Sequence, residues 1–213
     1  MEFKQFIENQ NEKEVRINAL KEWAEKLGEN SKIRLHMSNN QKINIQSKGQ
    51  YIAPDYSRMN GKPFGFWYAL GSSWIDFTIT EFNNAIGNYI FEVTINPSKI
   101  AFITNENQVR DIESRYQDAN KSLAWGNFKN NNTFKYSSHK IDNSYDVHER
   151  PFMPNWQLMA KDYWGIEIDP EKVYEAWTQD WAVPSGCIWN KRGIANIKLI
   201  AKFDIESGSY IDV

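Results

Sequence analysis

Cysteine is nearly missing from this chain: Cys187 is the only one. No intrachain disulfide can form, which points to a reducing compartment, and a structural zinc site built on thiolates is disfavoured. Histidine is scarce as well. His36, His139 and His148 share no metal-like spacing, so no metal is expected. No apolar run approaches the roughly 18 residues that a spanning helix needs, so no membrane segment is expected. The start, Met1-Glu2-Phe3-Lys4-Gln5-Phe6, is charged too early for a signal-peptide core. These absences favour the cytoplasm, of the producing cell or of a host cell. Neither sign of charge dominates: 25 Lys and Arg against 27 Asp and Glu give a net charge of -2. That argues against a protein that grips polyanions by bulk charge and leaves room for a local basic groove. Gly-x-Gly-x-x-Gly, Gly-x-x-x-x-Gly-Lys-Ser/Thr and Gly-x-Ser-x-Gly are all absent, so the usual dinucleotide cradle, triphosphate cradle and hydrolase elbow are missing.

Aromatic residues, by contrast, are abundant: 9 Trp, 10 Tyr and 12 Phe in 213 residues. Such a load excludes global disorder. The mean hydropathy of -0.67 reflects plentiful Asn, Lys, Glu and Gln, not a missing core. The length fits one domain, or one domain with an appended helix. The Asn, Lys and Ile content suggests an AT-rich genome, such as that of a phage or mobile element. Cys187, with no neighbouring His in sequence, reads as a small buried residue of an apolar strand.

Periodicity divides the chain. Residues 2–28 read as helix, with Phe3, Phe6 and Ile7 in one apolar cluster and Val15, Leu20, Trp23, Ala24 and Leu27 in another; a break near Asn9–Glu12 would make two helices. After Gly28 the period becomes two. Ile33, Leu35 and Met37 alternate with polar residues, as do Ile43 and Ile45, which predicts a hairpin. Residues 46–63 read as loop and Phe64 to Leu70 as a strand. Ser72 or Ser73 is placed to cap a helix that buries Trp74, Ile75, Phe77 and Phe82. Residues 88–96 are the clearest strand. Pro97-Ser98 turns it into a short strand at 99–104, followed by a helix at 105–117. Residues 118–150 lose all periodicity and read as a surface insertion anchored by Trp125, Phe128, Phe134 and Tyr136. A helix capped by Asn155, a strand at Gly165–Ile168, a helix starting at Pro170, an apolar stretch from Trp181 to Trp189 and a last strand at 194–203 complete the chain. This pattern predicts an α+β fold: a split, mostly antiparallel β-sheet with flanking helices and an N-terminal helical region over residues 1–30.

Three pieces carry candidate chemistry: Arg34-Leu35-His36-Met37-Ser38, Gly65-Phe66-Trp67-Tyr68-Ala69 leading to Ser72-Ser73, and the run from Tyr163 to Trp189. Together they resemble the ADP-ribosyltransferase superfamily, which includes mono-ADP-ribosylating toxins and the poly(ADP-ribose) polymerases. His36-Met37-Ser38 is similar to the family's His-Gly-Thr/Ser, with Met in place of Gly. Gly65-Phe66-Trp67-Tyr68-Ala69 is similar to its Gly-aromatic-Tyr-aromatic-Ala strand, with Trp67 where the stacking Tyr would fall. The family's later Glu has no counterpart around Ser185-Gly186-Cys187. The resemblance covers about residues 31–203 and implies transfer of ADP-ribose from NAD to a macromolecule.

That resemblance implies roles. His36 would orient NAD, Trp67 or Tyr68 would stack on nicotinamide, and Ser38, Ser72 and Ser73 would help hold it. Asp180 is the first candidate for the carboxylate, with Glu167 and Asp169 behind it; Lys62 or Arg34 would meet the pyrophosphate. The acceptor would be nucleic acid or protein, recognised by the insertion with Lys121, Lys129, Lys135 and Lys140, and a toxin would have a neutralising partner. The chemistry needs these groups: breaking the nicotinamide–ribose bond passes through an oxocarbenium-like state, as in glycoside hydrolysis, so an aromatic face for a cationic ring and a carboxylate near developing positive charge are required. Plainer readings stand beside these. Trp67 and Tyr68 point to opposite faces of a strand, so one of them is core. Ser72 and Ser73 also read as plain caps, and Glu167 as an outward strand residue. A chain that keeps the fold without the acid would be an NAD- or ADP-ribose-binding module, and a third reading takes the aromatics as core alone.

Overall fold

The computed structural model describes residues 2–27, 32–45, 62–82, 86–116, 154–173 and 181–213. The expected insertion at 118–150 and most of the helix expected after Pro170 lie outside these residues. The described elements are α1 (Glu2–Glu25), β1 (Arg34–Ser38), β2 (Phe66–Leu70), α2 (Ser73–Thr80), β3 (Tyr89–Ile95), β4 (Ile100–Ile103), α3 (Glu106–Arg115), α4 (Trp156–Asp162), β5 (Gly165–Ile168), β6 (Ser185–Ile188), β7 (Ile194–Asp204) and β8 (Ser209–Asp212). The strands form one sheet in the order β4-β5-β6-β2-β1-β3-β7-β8. Only β4 and β5 run parallel. The fold is α+β, with a mostly antiparallel sheet, an N-terminal helix and flanking helices.

Three local expectations give way. α1 is a single helix: no Gly or Pro interrupts residues 2–25, and the Asn residues near its middle are tolerated. The expected 33–45 hairpin does not form. β1 lies between β2 and β3, pairing Leu35 with both Ala69 and Glu92, while residues 43–45 join no strand. Alternation marked a strand at β1 correctly, but it carries no information about which strand pairs with it. The last strand is followed by another, β8, across a turn at Gly208, whose φ of 65° favours glycine.

One face of the sheet is covered by helices. Ala19, Leu20, Trp23 and Ala24 of α1 and Ile75 of α2 pack on Leu35, Ile90, Ala201 and Tyr210. Val109, Ile112, Trp156 and Met159 of α3 and α4 pack on Ala101, Ile103, Ile166, Ile168 and Cys187. Phe82, expected inside, is 56% exposed.

The other face closes on itself. β3 and β4 are the sixth and first strands in the order, so a flat sheet would hold them about 24 Å apart. Only Asn96 to Lys99 join them, partly as a 3-10 turn at Pro97–Lys99. β6 and β7 are joined as briefly, through a 3-10 turn at Lys191–Gly193. The two halves of the sheet must therefore fold over this face. Val93, Ile95 and Ile194 from one half meet Tyr68, Ile100 and Ile188 from the other in an apolar seam, with Phe66, Phe102 and Trp164 packed against it.

Candidate active site on the concave face

Alternation along three strands selects what enters the concavity. β1 turns Leu35 and Met37 to the helices and Arg34 and His36 to the concave face. β2 turns Trp67 and Ala69 to the helices and Phe66 and Tyr68 to the concave face. In β5, Ile166 and Ile168 are helix-side and Glu167 is concave.

Glu167 is the centre of the resulting cluster. Arg34 holds it with two donors, Nε to Oε2 at 2.7 Å and Nη2 to Oε1 at 3.1 Å. The Tyr68 hydroxyl donates to Oε2 at 2.8 Å. Such paired, charge-assisted bonds fix a carboxylate in direction as well as place. β2 and β6 intervene between β1 and β5, so the backbones lie about three strand spacings, or about 14 Å, apart on a flat sheet; the inward bend and the length of the arginine close that gap. Gly186 makes the crossing feasible. It pairs with both Tyr68 and Glu167, and a Cβ there would lie 2.3 Å from Tyr68 Cζ and Oη. The tyrosine ring occupies the space that any other residue would fill, and the Arg34 guanidinium carbon sits 5.9 Å from that ring's centroid.

The pair is only partly screened by water: the side chains of Arg34 and Glu167 are 26% and 12% exposed. Burial opposes the charge on Arg34, but the bond to and charge of Glu167 outweigh it, and its pKa is raised. Burial and then the neighbouring carboxylate push the Tyr68 pKa far up. Tyr68 thus remains a protonated donor to Glu167 throughout the working pH range.

His36 is a second, separate device. Its Nδ1 lies 2.8 Å from the backbone oxygen of Trp67. A carbonyl only accepts, so Nδ1 carries the proton. Burial lowers the imidazole pKa, partly offset by that bond, so the neutral ring predominates near neutrality. Nε2 is then an acceptor, with no hydrogen-bond partner among the described residues. The ring centroid is 4.5 Å from that of Phe66 and 6.4 Å from that of Phe91.

The structure brings His36 and Tyr68 onto one face and sends Trp67 to the other. Trp67 packs 4.9 Å from Trp181, with the Lys62 ammonium 5.6 Å above its ring. It is therefore not the ring that would stack on a ligand held by His36. Nor does Tyr68 offer an open ring face: the residue is 3% exposed, and its contribution is the hydroxyl on Glu167. Half-buried Phe66 is the aromatic nearest His36 among the described residues. The serines are engaged in local turns. Ser38 Oγ accepts from the Asn40 amide, Ser73 Oγ donates to the Leu70 carbonyl, and Ser72 precedes α2 without making the expected side-chain cap. Gly71, at φ 60°, makes the tight turn between β2 and α2. Asp180 lies outside the described residues. Asp169 Oδ2 pairs with Lys172, and its Oδ1 is buried without a partner among the described residues. Cys187 is fully buried, its thiol pKa pushed well up by burial.

The residue undervalued from sequence is Glu167. Its signal was present: an acid between Ile166 and Ile168 in a strand whose other face is core must point into a second environment, and Arg34 alternates with His36 in the same manner. Among the described residues no three His, Cys, Asp or Glu side chains gather as metal ligands, and no helix is long and apolar enough to cross a membrane. No family model, no curated protein and no solved structure matches the chain.

Proposed function

We propose that the concave face is a site for transfer of ADP-ribose from NAD to a macromolecular acceptor, with Glu167, not Asp180, as the carboxylate. One observation carries the reading: a carboxylate held by Arg34 and Tyr68 shares a sheet face with a neutral histidine whose Nε2 is an unused acceptor. His36 Nε2 accepts from a ribose hydroxyl, and Phe66 beside it offers an apolar aromatic wall. Glu167 stands opposite the positive charge that develops on the nicotinamide-bearing ribose. The C–N bond breaks, nicotinamide leaves as the neutral base with the electron pair, and the acceptor nucleophile forms the new bond to the same ribose carbon and releases its proton to water. Arg34 and Tyr68 hold the carboxylate in place, with Oε1, held by a single hydrogen bond, the less engaged of its two oxygens.

A second reading has its own observation. Both Glu167 oxygens are already bonded, Oε2 twice. A carboxylate so fully engaged suits a module that binds NAD or ADP-ribose without cleaving it. Nicotinamide release from NAD by the purified chain separates the two. The enzyme reading expects release by the wild type, a loss of about 100-fold or more in Glu167→Gln, and near-normal rates in Trp67→Phe. Tight ADP-ribose binding with no release in the wild type selects the module. Absence of both binding and release removes both readings.

A further inference from the structure

The short connections that close the seam between the two halves of the sheet carry a second feature. Three chain segments are stitched there by backbone bonds. The Trp164 amide donates to the Lys99 carbonyl at 2.7 Å, the Trp189 and Asn190 amides donate to the Trp164 carbonyl at 3.0 and 3.1 Å, and the Asn96 amide donates to the Gly193 carbonyl at 2.8 Å. The two 3-10 turns are capped by the side chains of Asn96 and Asn190. Lys99, Lys191 and Arg192 stand exposed on this platform. None has a carboxylate partner among the described residues. Asp162, two positions before Trp164, is taken by Tyr116 at 2.7 Å and by Arg115 at 3.7 Å. Half-buried Trp164 has the Lys99 ammonium 5.8 Å above its ring, and its backbone carbonyl is bonded to Trp189 and Asn190, next to Lys191 and Arg192 in the chain.

Three cations without a carboxylate partner among the described residues, on a hydrogen-bonded backbone frame in a chain whose net charge is -2, form a local patch and not a share of a general positive surface. Cations on a frame that also carries a partly exposed aromatic ring suit a phosphate backbone whose bases are free to stack, which describes a single strand better than a duplex. We infer that the platform formed by Lys99, Trp164, Lys191 and Arg192 binds single-stranded nucleic acid through its phosphates. The inference stands apart from the NAD reading and needs no turnover. Where both hold, it makes nucleic acid, and not protein, the acceptor.

Anisotropy of a fluorescein-labelled 20-nucleotide oligothymidylate, titrated with the full chain at several salt concentrations and without NAD, tests it. The expected result is binding at low salt that weakens with a slope of log K against log salt of about -2, from about 0.7 per phosphate contact on a single strand. Lys99→Gln/Lys191→Gln/Arg192→Gln should weaken binding at least tenfold and flatten that slope while leaving the thermal midpoint and nicotinamide release unchanged. His36→Ala should bind the oligonucleotide as the wild type does. No binding at low salt, equal binding by the triple variant, or tighter binding to a duplex of the same length would each overturn the inference. Because binding is read without NAD, failure of the enzyme reading leaves this result intact, and the reverse is equally true.

Discussion

The two faces of the sheet, one residue apart along β2, are built on opposite principles. The helix-covered face is mainly apolar, and most of its residues are interchangeable in kind if not in volume: Met159, Ile166 and Ile168 are wholly buried and make no polar commitments. On the concave face the seam is apolar, but beside it stand Arg34, His36, Tyr68 and Glu167, each fixed by named hydrogen bonds. The contrast teaches that stability and chemistry are separable here. Substitutions on one face should change how firmly the chain folds, while those on the other should change how its properties respond to pH and ligand.

The largest expected effect tests the apolar side. Met159→Ala removes a fully buried side chain between α4 and the sheet and should cost about 3 kcal/mol in urea unfolding, with a pH dependence like that of the wild type. A cost below about 1 kcal/mol would mean that this layer is not where the fold is held. Next comes the polar side. Arg34→Met leaves Glu167 with Tyr68 alone and should cost about 2 kcal/mol near neutral pH, discounted because the pair is partly exposed. The deficit should largely disappear in a Glu167→Gln background, which has no charge to leave unpaired. An equal cost in both backgrounds would separate Arg34 from Glu167.

His36 gives a smaller effect with a defined sign. Burial holds its folded-state pKa below the ordinary imidazole value. Above that ordinary value both folded and unfolded chains keep it neutral, and nothing is lost. As pH falls below it, the unfolded chain takes up a proton that the folded chain resists, and stability declines. His36→Gln should therefore lose less of its thermal midpoint between pH 7.5 and pH 5 than the wild type. Equal losses would place the imidazole in water. The smallest effect returns to α2. Thr78 Oγ1 is buried with no hydrogen-bond partner among the described residues. Thr78→Val should raise stability by about 1 kcal/mol; a fall would reveal a partner for the hydroxyl.

Much of the element list was legible because its signals are local. Asn105 and Asn155 cap α3 and α4 through their side chains, and the 88–96 strand is continuous in its apolar pattern. What local pattern cannot carry is pairing. Residues 33–37 announced a strand, yet β1's neighbours lie about 30 and 55 positions downstream, and only the closed seam fixes them. The same limit governed the site. The choice between Trp67 and Tyr68 follows from alternation once the core side of β2 is known, and that side is set by α3, α4 and Trp181, not by the strand itself. Glu167 ranked behind Asp180 because its partner Arg34 is 133 positions away, a distance that no motif spans and that only the fold of the sheet brings to contact.

The central claim is that the concave face, and not the helix-covered face, grips the dinucleotide. Calorimetric titration of wild type, His36→Ala and Trp67→Phe with carba-NAD, which cannot lose nicotinamide, addresses it directly. Measurable binding by the wild type, at least tenfold weaker binding by His36→Ala and unchanged binding by Trp67→Phe is the predicted result. No heat of binding in the wild type, or a loss in Trp67→Phe with His36→Ala unaffected, would contradict it.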